Sequence, residues 1–341
     1  MKCLVIECDK IKSESRDMMI RCNDKSLRFV GRWKVTEEKA VTTAPGSHFY
    51  LAFEGKSAVL HFETMWLIAP YPHLWISVDD GAWVEVPIEK HLRIQARTEG
   101  NHIVKVIYKS AIEKAHRWYL PLCGCAELVG VDANPGVLPE FHQKTIEFVG
   151  DSITEGVFID EEYSNGTKYH GRPYQDDVMA GYSWLTAEAL NLEPLYMGYG
   201  AVGVTRSGQG SVPRACESYP YCFHNEKIEY DEPDYILINH GANDQFDTEK
   251  NFVKCYMELL DVIMNMHPHS ELILLQPFCG VFKQGMIQVK ELFEKKYEKN
   301  AHLILTEGWI PAEPLHPHRD GHQIVAEHLI HELIERGIVK A

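Results

Sequence analysis

Over the first 140 residues, apolar positions gather in short runs separated by turn signals: Phe29-Val30, Ser47 to Phe53, Ala58 to Phe62, Leu74 to Val78 and Ile103 to Tyr108. With no helical period among them, this spacing predicts strands. Asp79-Asp80-Gly81 lies between two such runs and reads as a hairpin turn, because glycine tolerates positive φ. The expectation for residues 1–140 is an all-β sandwich domain, jelly-roll-like. From Thr145 the rhythm changes to a buried strand followed by a helix, repeated. Strands are expected at Thr145 to Val149, Leu195 to Met197, Tyr235 to Asn239, Leu272 to Leu275 and Leu303 to Leu305. Phe252, Tyr256, Leu259, Leu260 and Ile263 recur at helical spacing and stop before Pro268. The last helix is expected to end at Gly337, a C-cap glycine. Strands alternating with helices imply a parallel sheet, since parallel neighbours need a crossover. Pro135-Gly136-Val137-Leu138-Pro139 interrupts both patterns and marks the seam, so an α/β/α domain is expected over 141–341.

Composition agrees with two domains, because 341 residues exceed what one core usually organises. With 34 basic against 49 acidic residues the formal charge is −15, which argues against nucleic acid and anionic membranes as partners. The opening Met1-Lys-Cys-Leu-Val-Ile-Glu-Cys-Asp-Lys is too briefly apolar for a signal peptide. No segment approaches the roughly 20 apolar residues of a membrane span. A cytoplasmic protein is expected. The nine cysteines fit that compartment: an odd number without repeated spacing is no disulfide framework, and Cys123-Gly-Cys125 is too close for a zinc knuckle.

In open parallel sheets, ligands collect at the carboxyl ends of the strands. There stand Gly150-Asp151-Ser152-Ile153-Thr154-Glu155-Gly156, Gly198-Tyr199-Gly200-Ala201-Val202-Gly203 and His240-Gly241-Ala242-Asn243-Asp244. Before the final helix comes Glu313-Pro314-Leu315-His316-Pro317. Taken alone, Ser152 is equally a helix N-cap, Gly203 a turn glycine and Asn243 an Asx turn. A serine nucleophile needs a base to take its proton, and an imidazole with an ordinary pKa of about 6.5 suits that task. The four blocks, in this order over about 145 to 337, resemble those of the SGNH (GDSL-like) hydrolases. The resemblance implies a flavodoxin-like parallel sheet, Ser152 as nucleophile and His316 as general base. It also implies an oxyanion hole from the Ser152 and Gly203 N–H groups and the Asn243 amide. That family usually has aspartate three residues before the histidine. Here Glu313 occupies the place, and either it or a backbone carbonyl orients the imidazole.

Two competing motifs carry less. Gly198 to Gly203 matches G-x-G-x-x-G, but a dinucleotide site wants this block on the first strand of a βαβ unit with an acidic residue at a second strand end about 20 positions on, and here Ser218-Tyr219-Pro220-Tyr221-Cys222-Phe223 fills that stretch. His316, His318 and His322 follow no zinc spacing, so neither metal nor cofactor is expected. Thr154 stands where an α/β-hydrolase elbow has its last glycine, which excludes that fold.

Gly31-Arg32-Trp33, Ser47-His48-Phe49, Phe53-Glu54-Gly55-Lys56 and Gly100-Asn101-His102 resemble the β-sandwich domain of family 2 carbohydrate esterases. That resemblance implies removal of O-acetyl groups from oligosaccharides of xylan or mannan type. Five tryptophans lie in this half (Trp33, Trp66, Trp75, Trp83, Trp118), as core or as platforms for sugar rings. The stretch Val157 to Asp177 reads as a lid or binding loop. Asp151, Tyr163, Tyr169, His170 and Tyr174 are the candidate substrate contacts. Two alternatives stand beside the acetylesterase: a lipase-like acylhydrolase for a non-sugar ester, and a carbohydrate-binding protein with impaired catalysis.

Overall fold

The computed structural model describes residues 19–160 and 172–339. Its amino-terminal part is one antiparallel sheet of ten strands. The spine is a single strand, His48–Phe62. Its first half pairs with Leu27–Val30 and Asn101–Ser110, its second half with His91–Gln95, and Ala126–Pro135 runs along both. The partners change around Gly55, whose φ of +110 is open to glycine and strained for other residues. Two strands were expected here, because the polar Glu54-Gly55-Lys56 breaks the alternation. The backbone bends at that point and stays in the ladder, so the sheet is continuous. The hairpin between His73–Val78 and Val84–Pro87 turns at Asp79 and Asp80, with φ of 52 and 53. The positive φ that the sequence suggested for Gly81 thus falls on the two aspartates, as in a two-residue primed turn.

The antiparallel sheet ends at Pro135 and the parallel one begins at Thr145. Five strands stand in the order Glu193–Gly198, Thr145–Gly150, Tyr235–Asn239, Glu271–Leu275, Ala301–Ile304, each pair parallel. In sequence order that is 2-1-3-4-5, the flavodoxin-like arrangement. The order reverses between Thr145–Gly150 and Tyr235–Asn239, so the crevice beyond their carboxyl ends is the switch point. Helix Glu249–Met266 starts where the Thr248 side chain accepts the Asn251 N–H, and it buries Phe252, Tyr256, Leu259, Leu260 and Ile263. The final helix, Arg319–Glu335, stops just before Gly337, whose φ is +64.

One apolar cluster runs through both parts, joining Phe49, Leu60, Val106 and Leu128 to Val149, Tyr199, Ile238 and Leu259. A buried polar lock crosses the same boundary. Arg32, fully buried, donates to Glu147 at 2.9 Å and to the carbonyls of Tyr219 and Tyr221 at 2.7 and 2.9 Å. Among the described residues, no helix is long and apolar enough to cross a membrane.

Candidate active site

Ser152 is the first residue of a four-residue helix, Ser152–Glu155, directly after the first parallel strand. The cap of that helix is Asp151, whose side chain accepts the Ile153 N–H at 3.0 Å. The serine is therefore not needed as a cap. A Cβ on Gly150 would collide with the Thr154 side chain and approach the Asn239 carbonyl at 3.0 Å, so only glycine admits this tight exit from the strand. His316 enters from the segment before the last helix, and its Nε2 lies 2.9 Å from Ser152 Oγ. Ser152 is 5% exposed, while His316 is half-buried. The Phe158 ring stands edge-on to the imidazole at 5.3 Å between centroids.

Glu313 is exposed, and among the described residues it forms no hydrogen bond or ion pair with His316. Its carboxylate keeps its hydration, which a buried orienting role would have to replace. His322 of the cluster sits in a different environment from His316. His322 is buried and its Nδ1 accepts the Tyr182 N–H at 3.0 Å. Burial pushes its pKa down to about 3.

Two of the three expected oxyanion donors are drawn into the structure's own bonds. The Gly203 N–H donates to the Arg206 carbonyl at 3.0 Å. The Asn243 amide donates to Asp151 Oδ2 and to the Val202 carbonyl, both at 3.1 Å. Asp151, expected as a substrate contact, is instead buried beneath the site between the Ile153 N–H and Asn243. Burial pushes its carboxyl up to about 7, and the charges of Asp244 and Glu113 push the same way. A proton on Asp151 would leave it a weaker acceptor for Asn243.

Tyr163, Tyr169 and His170 lie outside the described residues. Tyr174 is exposed and stands edge-on to His73 at 4.5 Å. Trp75 reaches across from the β part to donate to Asp177 Oδ1 at 3.0 Å. Trp33 and Trp118 are core residues, and Trp66 is 56% exposed.

Several residues around the site were not found from sequence. Asp244 accepts the N–H groups of Val204 and Thr205, at 3.2 and 2.8 Å, and so ties the Gly203 loop to the end of the third strand. Glu155 is fully buried against Arg117 and accepts the Gly200 N–H at 2.7 Å. Glu113 packs where a Cβ on Gly200 would lie. A charge inside the otherwise apolar and hydroxylic run Ser-Ile-Thr-Glu-Gly was the available signal, since a buried carboxylate requires a partner. Its partner is distant in sequence.

No protein-family model matches the sequence, and no curated protein does. Solved structures match along nearly the whole chain. A family two carbohydrate esterase from Cellvibrio japonicus is 17% identical, with a TM-score of 0.74, covering 93% of this chain and 97% of that one. An acetyl xylan esterase from Butyrivibrio proteoclasticus is 16% identical, with a TM-score of 0.73 and coverage of 92% and 96%. A salicylyl-acyltransferase from a tetracycline biosynthetic pathway is 16% identical, with a TM-score of 0.64 and coverage of 94% and 99%. The chain shares the fold of the family two carbohydrate esterases, from the antiparallel sheet through to the helix that follows His316.

Proposed function

We propose that this protein is a serine esterase that removes O-acetyl groups from carbohydrates through an acyl-enzyme on Ser152. The observation that carries the reading is the 2.9 Å contact between Ser152 Oγ and His316 Nε2 at the switch point of the sheet. In the reaction, Ser152 Oγ attacks the acetyl carbonyl while His316 takes its proton. The tetrahedral oxyanion collapses, the sugar leaves as an alcohol, and His316 returns the proton to its oxygen. Water then repeats the sequence on the acetyl-serine and releases acetate. The Ser152 N–H and the Asn243 amide stabilise the oxyanion, on the order of 3 kcal/mol for one such donor. For the amide to do so, substrate must displace the Val202 carbonyl or Asp151 from it. This chemistry requires no metal or cofactor. The acetyl group and the sugar are supported by two of the fold neighbours, a family two carbohydrate esterase and an acetyl xylan esterase.

The internal engagement of Gly203 and Asn243 favours one second reading, a sugar-binding protein with impaired turnover. Acetate release from acetylated xylan and mannan oligosaccharides separates the two. The esterase reading requires turnover by the wild type that disappears in Ser152→Ala. Binding of the sugar with no such turnover supports the second reading. A chain-length series of nitrophenyl esters tests the acyl group, because a lipase-like site would prefer octanoate to acetate.

A further inference from the structure

Between strands Asn101–Ser110 and Ala126–Pro135, the β part sends residues 111–125 to the catalytic centre. Arg117 lies on this loop with its side chain fully buried. Its guanidinium is bonded through Nη1 to Glu155 Oε1, and its Nη2 lies 3.4 Å from Glu155 Oε2. The Arg117 N–H donates to the Gly210 carbonyl at 3.0 Å, and the guanidinium lies 5.4 Å from the centre of the Tyr199 ring. Contact this close depends on missing side chains. Gly210, at φ +62, would press a Cβ onto the Ala115 carbonyl, and a Cβ on Gly124 would stand 2.9 Å from that of Ala115.

Glu155 is the junction. It stands three residues after Ser152, on the same short helix, and its Oε2 accepts the Gly200 N–H at 2.7 Å, three residues before Gly203. All its partners are donors, so an acceptor-only carboxylate fits the place, and an amide would turn N–H against N–H. Burying a carboxylate this deeply is costly without a cationic partner.

We propose that Arg117 is a positioning residue contributed by the β part: by holding Glu155, it fixes the Gly200–Gly203 loop relative to Ser152. The proposal rests on the esterase reading for its catalytic consequence, while its structural consequence can be measured without turnover. Two variants test it. Glu155→Gln conserves volume. The double variant Arg117→Met/Glu155→Met removes both charges together, a change that often leaves stability intact.

Two readouts are taken on correctly folded protein: steady-state hydrolysis of nitrophenyl acetate, and hydrogen exchange of peptides covering 198–206. Both variants are expected to lose about 100-fold in kcat, the scale of a 1 Å misplacement. KM should stay within about threefold, because the lost interaction acts in the transition state. Exchange in 198–206 should quicken. Wild-type kcat or unchanged exchange in a folded double variant overturns the proposal, and so does failure of both variants to fold, which would assign the pair to stability alone. If the wild type shows no Ser152-dependent turnover, the esterase reading fails, and hydrogen exchange alone decides whether Arg117 orders the loop.

Discussion

Of the residues foreseen at the site, Ser152 and His316 meet at 2.9 Å across 164 positions of sequence. Glu313 does not join them, although it occupies the place where aspartate was expected. Sequence could name the slot but not the direction of the side chain, which depends on how the chain passes Pro314 and Pro317. We predict that Glu313→Gln keeps kcat within about threefold of wild type, measured on nitrophenyl acetate. A true triad carboxylate would cost on the order of 10⁴ when made an amide. Asp151 gives a second test through its raised pKa. Between the unfolded value near 3.8 and the folded value of about 7, the native state holds a proton that the unfolded chain has released. This group's contribution to stability therefore falls as pH rises through that window. Asp151→Asn lacks that loss. Urea denaturation should show its stability relative to wild type increasing from about pH 4 to about pH 7, and a constant difference would refute the titration.

Elements buried on both faces were the most legible. The runs Tyr235–Asn239 and Glu271–Leu275 are continuous and apolar because helices cover both sides of a parallel sheet, and their expected bounds differ from the observed ones by at most a residue. Ala126–Pro135 was not among the expected strands, since Gly130, Asp132 and Asn134 interrupt its apolar pattern, although the stretch pairs across the sheet. The block from Gly198 to Gly203 was recognised as a motif, but the tether of the residues after it to Asp244 was not, since nothing local requires it. A Cβ on Gly203 would meet the Asp244 carboxylate. Gly203→Ala should therefore push the loop off that tether. A fall of about 100-fold in kcat with the unfolding temperature nearly unchanged is expected, from paired kinetic and thermal measurements. Equal losses in both would mean that the loop serves the fold alone.

At the scale of the molecule, the strand–helix rhythm after Thr145 announced a parallel sheet, and the five strands from Thr145 to Ile304 are parallel. The closeness of the two parts was not readable, because contacts such as Arg32 with Glu147 lie 115 positions apart. Arg32→Met leaves Glu147 buried without its cation and should cost about 3–5 kcal/mol of unfolding free energy in denaturant titration. A loss below about 1 kcal/mol would show that the two parts hold together without this lock. The shared apolar core and the Arg117–Glu155 contact join the β part to the helix that carries Ser152. The esterase reading depends on one covalent event. The direct measurement is acid-quenched peptide mapping after brief reaction with nitrophenyl acetate. A Ser152 nucleophile predicts acetyl on Ser152 in the wild type, none at that position in Ser152→Ala, and a much slower label in His316→Ala. No acetyl-enzyme, or acetyl on another residue with Ser152 unmodified, would contradict it.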